Sequence, residues 1–387
     1  MASNPYDGVY IVGAGQAPYE KRSNKPVFRV LWEALTAGLQ SAKLPFRSMQ
    51  GLALTCFVLP PDNVTTVAEH FGIEARFLFH GVYGGASGII GMLHAARAIR
   101  DGDADVIAVL AGDVFDVAAH NEMLDRFNGS MRDWMAPHGF GGANGTFALH
   151  TRLYAETFGT SAEDFGLLPV AQRYNAIRNP NALLRTPMSM RDYLTARPIA
   201  DPLRLYDCVM PCVGGDCVIL ASGRVARSLD IPRVRILGGG EMHNSPANNV
   251  FSLRAGWEDI APRMYAQAGI GPGELDFAQL YDDYPVMEFL QLEGLGIASR
   301  GGSHLFLREH DVRFSGDFPI NTGGGQLSAG QAGASGGMIG VVEGVLQLRG
   351  EGGARQTRCR RGVLAGYGMV AYGRGLSCSA AIIEREE

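Results

Sequence analysis

The chain is poor in lysine and carries a small negative net charge. Only three of its 387 residues are lysine, so arginine supplies nearly all of the 34 basic residues. Phosphate and carboxylate groups must therefore be bound by arginine, whose planar guanidinium suits them. The formal net charge of -5 disfavours nucleic acid as a partner.

The cysteines and the apolar segments argue against a metal-binding protein, a disulfide-rich protein and a membrane protein. The six cysteines form no C-x-x-C pair, and the cluster Cys208, Cys212 and Cys217 has no nearby histidine. Neither a metal site nor a disulfide framework is expected. No apolar run reaches the roughly 18 uncharged residues of a membrane span, and the first residues lack a basic region followed by an apolar core. We expect a soluble, cytoplasmic protein without a membrane span.

Glycine is in excess. There are 52 glycines in 387 residues, about twice the usual share of roughly 7%. They follow no collagen period and lie among aliphatic and aromatic residues. We interpret them as tight turns and as places where backbone segments approach closely.

An internal repeat organises the chain. Val9–Gly15 matches Val234–Gly240, and at the same offset Trp32-Glu33 falls on Trp257-Glu258. Each copy therefore begins with an apolar strand, followed by a helix that starts near the Trp-Glu pair. Alternating strands and helices predict βαβ crossovers and a mainly parallel, buried sheet in each half.

A second repeat follows in the same order. Gly85-Ala-Ser-Gly88 matches Gly333-Ala-Ser-Gly336, and both turns open amphipathic segments. A glycine-rich turn before a helix presents unpaired N–H groups and a positive dipole end, which suit an anion or a developing oxyanion. Small residues also allow a helix to pack close to its neighbour.

The repeat divides the chain into residues 1–229 and residues 230–387. The stretch 114–205 has no counterpart in the second half, and we interpret it as an inserted loop domain over one end of the sheet. Its nine arginines between Arg126 and Arg204 would hold a phosphorylated ligand or form a solvated basic face. His138 would reach a ligand or serve as a structural histidine.

Several longer motifs resemble a known family. They are Pro202–Cys208, Tyr281-Asp282-Asp283-Tyr284, Asn321–Gly330, Gln331–Gly337 and Val342–Gly350. Over essentially the whole chain the sequence resembles the thiolase superfamily, in its sterol carrier protein x and lipid-transfer-protein branch. The resemblance implies an α/β thiolase fold with two βαβ-type halves in a layered αβαβα core. It also implies a coenzyme A thioester as substrate, no covalently bound cofactor, a homodimer, and a small OB-fold partner with a zinc ribbon.

The family's catalytic residues are absent from the matching positions. The position of the nucleophilic cysteine is occupied by Gly85, and that of the histidine in the G-H-P-x-G motif by Gln331. The second cysteine would fall near 371–373, where there is no thiol. Acyl transfer through an acyl-cysteine is therefore not expected. The missing side chain at Gly85 is expected to enlarge the cavity and to admit a branched or bulky acyl group.

One group within this branch also lacks the nucleophile. The lipid-transfer-protein-like aldolases, which shorten steroid side chains as coenzyme A thioesters, use tyrosines, one of them in a Y-D-H-F element that matches Tyr281–Tyr284. The resemblance implies cleavage or formation of a carbon–carbon bond without an acyl-cysteine, and retro-aldol cleavage of a β-hydroxyacyl thioester is our first choice. A second tyrosine of that group falls on Gln331, so the match is incomplete.

This reaction needs a base for the hydroxyl group and hydrogen-bond donors for the thioester enolate. Tyr281 is our first choice for proton transfer, although a phenol of pKa about 10 needs a positive neighbour to act as a base. Asp282 or Asp283 is the alternative base or an orienting group.

The donors for the enolate are predicted from two places. Gln331 keeps an N–H donor but cannot shuttle protons, and it could instead be a spacer. The backbone N–H groups of Gly85, Ala86 and Ser87 would supply the second donor. Two other functions stay open: a non-catalytic scaffold subunit, and conventional acyl transfer by Cys378 or Cys56.

Overall fold

The computed structural model describes residues 4–125, 128–140, 142–249 and 251–386. The strands are β1 (Val9–Glu20), β2 (Gly51–Thr55), β3 (Phe77–His80), β4 (Val106–Val114), β5 (Pro198–Ala200), β6 (Leu203–Arg204), β7 (Val213–Ser222), β8 (Val234–His243), β9 (Phe277–Gln279), β10 (Arg361–Ala371) and β11 (Arg374–Arg385). The helices are α1 (Val27–Ser41), α2 (Val64–Phe71), α3 (Ser87–Asp101), α4 (Val117–Asp125), α5 (Gly142–Phe158), α6 (Ala162–Ala176), α7 (Met190–Leu194), α8 (Gly223–Ala226), α9 (Trp257–Ala268), α10 (Pro285–Gly294), α11 (Ser303–Glu309), α12 (Gly325–Ala329) and α13 (Gly336–Arg349).

Nine strands form one continuous sheet in the order β3-β2-β4-β7-β1-β8-β11-β10-β9. The strands of the first half lie on one side of the β1–β8 pairing and those of the second half on the other. That pairing is short, because only Tyr10 and Ile11 of β1 face residues of β8. The sheet thus consists of two parts joined along a narrow seam.

The prediction of a mainly parallel sheet in each half is wrong. Only the β2–β3, β2–β4 and β9–β10 pairs are parallel, and the remaining pairs of this sheet are antiparallel. Strands β10 and β11 are joined by a tight hairpin, with Ala371 opposite Arg374, and so short a connection allows only antiparallel neighbours. The hydrophobic pattern locates strands but does not reveal the direction of their partners.

The layers are those of an αβαβα core, as the resemblance implies. Helices α3 and α13 lie between the two parts of the sheet and share one apolar cluster with the inner faces of both. Helix α1 covers the outer face of β1, β4 and β7, and α9 covers β8 and β11. The predicted layered α/β architecture is therefore present.

The two central helices begin in backbone contact. A Cβ atom on Gly88 would lie 2.5 Å from the carbonyl oxygen of Gly337, and one on Gly337 would lie 2.4 Å from that of Gly85. Real Cβ atoms do not approach so closely, so these positions require glycine. The repeated glycine-rich turns therefore allow close helix packing.

Two buried carboxylates hold the second of these turns. Asp113 on β4 accepts a hydrogen bond from the N–H of Ala334 at 2.7 Å, and Asp216 on β7 accepts one from the hydroxyl of Ser335 at 2.5 Å. Burial raises the pKa of each carboxyl to about 6. Because the second turn is bound to the sheet in this way, the first turn is the better candidate for a ligand.

Between β4 and β7 the chain leaves the main sheet and forms α4 to α7 and the small β5–β6 ribbon. This excursion lies near the predicted insertion at 114–205, while the boundary between residues 229 and 230 stays a prediction. Within the part of the chain that the structure describes, no helix is both long and apolar enough to cross a membrane.

We predict that Gly88→Ala destabilises the fold. The added methyl group would overlap the carbonyl of Gly337, and overpacking of a core typically costs about 1–3 kcal/mol of unfolding free energy. Gly91→Ala on the same helix is the matched control, because its methyl group would meet neighbours at 3.4 Å or more. Denaturant unfolding of both variants checks this, and equal stability would contradict the close approach.

Candidate active site

The segment Tyr281–Tyr284 connects β9 to α10, and its backbone is firmly held. Gln291 of α10 accepts a hydrogen bond from the N–H of Tyr281 at 2.8 Å and donates one to its carbonyl at 2.7 Å. The side chain of Gln291 is completely buried. The position of Tyr281 is therefore set by the helix that follows it.

The ring of Tyr281 lies directly on Gly85. A Cβ atom on Gly85 would lie 1.9 Å from Cε2 and 2.3 Å from Cζ of this ring. The expectation that a missing side chain at residue 85 enlarges the cavity is wrong, because the tyrosine fills that space. A cysteine could not be accommodated at residue 85 with Tyr281 in this position.

Tyr281, Asp283 and Gln331 form one hydrogen-bonded group. The hydroxyl of Tyr281 bonds to the carboxylate of Asp283, and Nε2 of Gln331 donates to Oδ1 of Asp283 at 2.8 Å. Burial raises the pKa of Asp283 to about 7, although the bonds from Tyr281 and Gln331 oppose this rise. Asp283 can therefore hold or release a proton near neutral pH.

The surroundings of Tyr281 oppose its ionisation. Burial, and then the carboxylate of Asp283, raise the pKa of this phenol well above its usual value. The sequence required a positive neighbour for a tyrosine base, but the charged groups that act on Tyr281 are the carboxylates of Asp283 and Asp282. This environment makes Tyr281 a hydrogen-bond donor.

Two cavities meet at this group. The smaller, of about 70 Å³, is lined by Gly85, Tyr281, Gly333, Met131 and Met369, among others. The larger, of about 540 Å³, has a mostly apolar wall that includes Leu184, Ile199, Leu205, Val209 and Met210. Asp283, Gln331 and His120 line both. The polar groups thus lie at the junction of the cavities, where a bound ligand would meet them.

Asp282 has a different role in the structure. It lines neither of these cavities, and its carboxylate accepts the N–H groups of Gln326 at 2.9 Å and Leu327 at 3.1 Å. Burial raises its pKa to about 6, while these amides lower it. Asp282 anchors the start of α12, so Asp283 is the better placed of the two predicted carboxylates.

The amides of the first glycine-rich turn are largely engaged. The N–H of Ala86 donates to the carbonyl of Tyr83 at 3.3 Å, and the N–H of Ser87 donates to that of Gly84. The hydroxyl of Ser87 accepts a bond from the N–H of Tyr83 at 2.8 Å. Gly85 does line the smaller cavity, but the role of this turn as an oxyanion donor stays a prediction.

His120 of α4 is a site residue that the sequence did not reveal. Its ring is nine-tenths buried and lines both cavities together with Gln331, while Nδ1 has no hydrogen-bond partner among the described residues. It belongs to no motif, and α4 has no counterpart in the repeat. The available signal was its place six residues after the end of β4, since ligands often bind near the carboxyl ends of strands.

The predicted ligand-binding residues of the insertion are mostly elsewhere. His138 is exposed and lines neither cavity. Arg197 lines the larger cavity, and the buried guanidinium of Arg173 stacks on Tyr206, which is also part of its wall. Arg126 lies outside the described residues. Of the arginines predicted to bind a phosphorylated ligand, Arg197 therefore remains the candidate at these cavities.

The thiols are poorly suited to catalysis. Cys378 is fully buried on β11, and Cys56 lies against Asp113 with 3.1 Å between Sγ and Oδ1. Burial raises the pKa of both thiols. Cys208 lines the larger cavity, where burial and Asp207 raise its pKa to about 12. None of the six cysteines lines the smaller cavity beside Gly85. A protonated thiol is a weak nucleophile.

Residues 241–378 match the family model described as thiolase C-terminal domain-like. The chain is 31% identical over 356 residues to the 17-hydroxy-3-oxo-4-pregnene-20-carboxyl-CoA lyase of Mycobacterium tuberculosis, an alignment that covers 88% of this chain and 91% of the relative. It is 29% identical to the steroid side-chain-cleaving aldolase of Thermomonospora curvata, with 88% and 90% covered. The chain belongs to the thiolase superfamily.

A solved structure also resembles this chain. The Ltp2-ChsH2(DUF35) aldolase superposes on this thiolase-superfamily chain with a TM-score of 0.83 and 26% identity, covering 97% of each chain. These similarities confirm the predicted membership of the thiolase superfamily, near its lyases and aldolases. The roles of individual site residues stay predictions.

We predict that Asp283→Asn stabilises the protein at neutral and alkaline pH. Since folding raises the pKa of Asp283 from 3.8 to about 7, the folded state holds this proton more tightly, and wild-type stability falls as the pH rises through that range. The variant escapes this loss, so its relative stability should increase by about 4 kcal/mol at most between pH 4 and pH 8.

Urea unfolding of both proteins at pH 4, 6 and 8 measures this difference. The exposed Asp62→Asn is the control and should show no such trend. A stability difference between Asp283→Asn and wild type that does not change with pH would contradict the raised pKa.

Proposed function

We propose that this lyase cleaves a β-hydroxyacyl-CoA by a retro-aldol reaction in which Tyr281 and Asp283 supply the proton to the thioester enolate. One observation carries the proposal: the ring of Tyr281 occupies the space of a side chain at residue 85, and its hydroxyl bonds to Asp283. Chemistry at this position has to proceed without a thiol from residue 85.

The reaction requires no covalent intermediate. A base takes the proton of the β-hydroxyl, the β-carbon becomes a carbonyl, and the electrons of the α–β carbon bond move into the thioester as an enolate. Tyr281 donates a hydrogen bond to the enolate oxygen, and a proton from the Tyr281–Asp283 pair reaches the α-carbon. The products are a ketone or aldehyde and a shortened acyl-CoA. Donors placed in a buried site stabilise such an enolate effectively.

We infer that the larger cavity binds the acyl group. Its volume of about 540 Å³ lies within the usual range of ligand sites, and its wall is mainly apolar. The relative from T. curvata is a steroid side-chain-cleaving aldolase, and that from M. tuberculosis is a 17-hydroxy-3-oxo-4-pregnene-20-carboxyl-CoA lyase. Both names support a bulky polycyclic acyl group. Arg197 at this cavity is the candidate for a coenzyme A phosphate.

We also propose that the chain forms a homodimer and binds a small partner protein. Strand β3 ends the main sheet, and Leu78 on it is 37% exposed, so its free edge is available for pairing. The aldolase of similar structure is a complex with a DUF35 protein, which supports a partner here. A cytoplasmic location stays a prediction.

We predict that Tyr281→Phe reduces kcat for cleavage of 17-hydroxy-3-oxo-4-pregnene-20-carboxyl-CoA about 10²-fold or more, as expected for loss of an acid–base group. Tyr174→Phe, which is outside both cavities, should leave kcat unchanged. Release of the ketone product, followed by chromatography, measures the rate.

Thiol chemistry is tested in the same assay. Iodoacetamide should leave cleavage intact in a Cys208→Ser variant, which removes the thiol of the larger cavity. Full activity in Tyr281→Phe would contradict the proposal. Inactivation of Cys208→Ser by iodoacetamide would instead favour an acyl-cysteine mechanism.

For the dimer, we predict a mass in solution of twice the 41.5 kDa chain, and a shift to the monomer for Leu78→Glu, since a charge on the edge strand opposes pairing. Leu305→Glu on α11, 50% exposed, is the matched control and should remain dimeric. Light scattering after size-exclusion chromatography gives these masses, and a monomeric wild type would contradict the dimer.

A further inference from the structure

The proposed reaction needs a base for the β-hydroxyl, and one ionisable ring at the cavity junction has no role so far. His120 lines both cavities and is nine-tenths buried. Its Nδ1 is one of the buried side-chain atoms that lack a hydrogen-bond partner among the described residues. A buried, unpaired nitrogen is costly unless it serves a ligand.

The hydrogen bonds of Gln331 limit what this side chain can offer to the ring of His120. The amide nitrogen of Gln331 donates to Oδ1 of Asp283 at 2.8 Å and to Oε1 of Gln326 at 3.3 Å, which uses both of its protons. Gln331 therefore offers His120 its carbonyl oxygen, which can only accept a hydrogen bond. With its proton on Nε2, the ring would keep the lone pair of the unpaired Nδ1 free for a ligand.

We propose that Nδ1 of His120 is the catalytic base that takes the proton of the substrate's β-hydroxyl, an assignment that rests on the proposed retro-aldol function. As the O–H bond breaks, its electrons form the carbonyl, and the α–β carbon bond electrons pass to the enolate. The imidazole leaves the step as a cation, while the Tyr281–Asp283 pair has lost one proton to the α-carbon. Exchange with solvent through the larger cavity restores both groups.

The charges around His120 suit this division of roles. Asp283 and Tyr281 line the smaller cavity together with His120, and the thiol of Cys208 lies in the larger one. The carbonyl of Asp116 accepts the backbone N–H of His120. Burial lowers the pKa of His120 and raises that of Asp283 to about 7. Because the pKa of His120 is lowered and that of Asp283 is raised, His120 is free to accept a proton while Asp283 still carries one.

His120→Gln tests the base, because a glutamine amide keeps a polar side chain at this position but cannot accept the proton. We expect kcat for 17-hydroxy-3-oxo-4-pregnene-20-carboxyl-CoA to fall about 10²-fold or more, with little change in KM. The acidic decline of kcat/KM in the wild type should disappear in the variant. His70→Gln, exposed on α2, is the matched control and should behave as the wild type.

Three results would overturn the assignment. They are a kcat in His120→Gln within threefold of the wild type, a change confined to KM, or an acidic decline of kcat/KM that persists unchanged in the variant. Circular dichroism shows whether His120→Gln folds, and His120→Asn, judged by the same three results, replaces it if it does not. An active wild type with an active His120→Gln contradicts the base alone, whereas a wild type inactive on this thioester contradicts the proposed function.

Discussion

The contact between the ring of Tyr281 and the backbone of Gly85 constrains the rest of the site. Gly85 is enclosed on its other sides by β10 and by the start of α13, where added Cβ atoms on Gly368 and Gly337 would lie 2.5 Å and 2.4 Å from its backbone atoms. The tyrosine cannot withdraw easily, because Gln291 holds its backbone through two hydrogen bonds. A cysteine at residue 85 and a tyrosine at residue 281 therefore exclude each other in this geometry. The chemistry open to the site is that of proton transfer and enolate stabilisation.

Burial determines which ionisable group of the site accepts a proton and which one donates it. Asp283 and His120 share Gln331 as a neighbour, and removing both groups from water shifts their pKa values in opposite directions. A neutral amide at residue 331 can bond to both without adding charge. A histidine there, as in the family motif, would become a cation at lower pH and would lower the pKa of Asp283 by its charge. Gln331 lowers the pKa of Asp283 through its hydrogen bond, but as a neutral group it lowers this pKa less than a cationic histidine would.

The sequence predicted those parts of the structure that depend on short local patterns of residues. The repeated turns located the two central helices, and the resemblance brought Tyr281, Asp283 and Gln331 together from distant segments. The direction of each strand, however, depends on its neighbours in the sheet, and a local sequence pattern does not identify those neighbours. The filled space at Gly85 depends on a contact with a residue nearly 200 positions away. His120 was missed because its helix belongs to the insertion, where neither the repeat nor a motif gave guidance.

The neighbouring carboxylates of the Tyr281–Tyr284 segment show how one short sequence serves both framework and chemistry. Successive side chains of an extended segment point to opposite sides. Asp282 therefore reaches the N–H groups at the start of α12, while Asp283 faces the cavities. Helix α12 leads directly to Gln331, whose N–H donates to the carbonyl of Met210 at 2.9 Å. Asp282 thus helps to position the segment that delivers Gln331, and Gln331 in turn bonds to Asp283. The two acids are coupled through structure, so a change at Asp282 would act on the chemistry of Asp283 without touching a ligand.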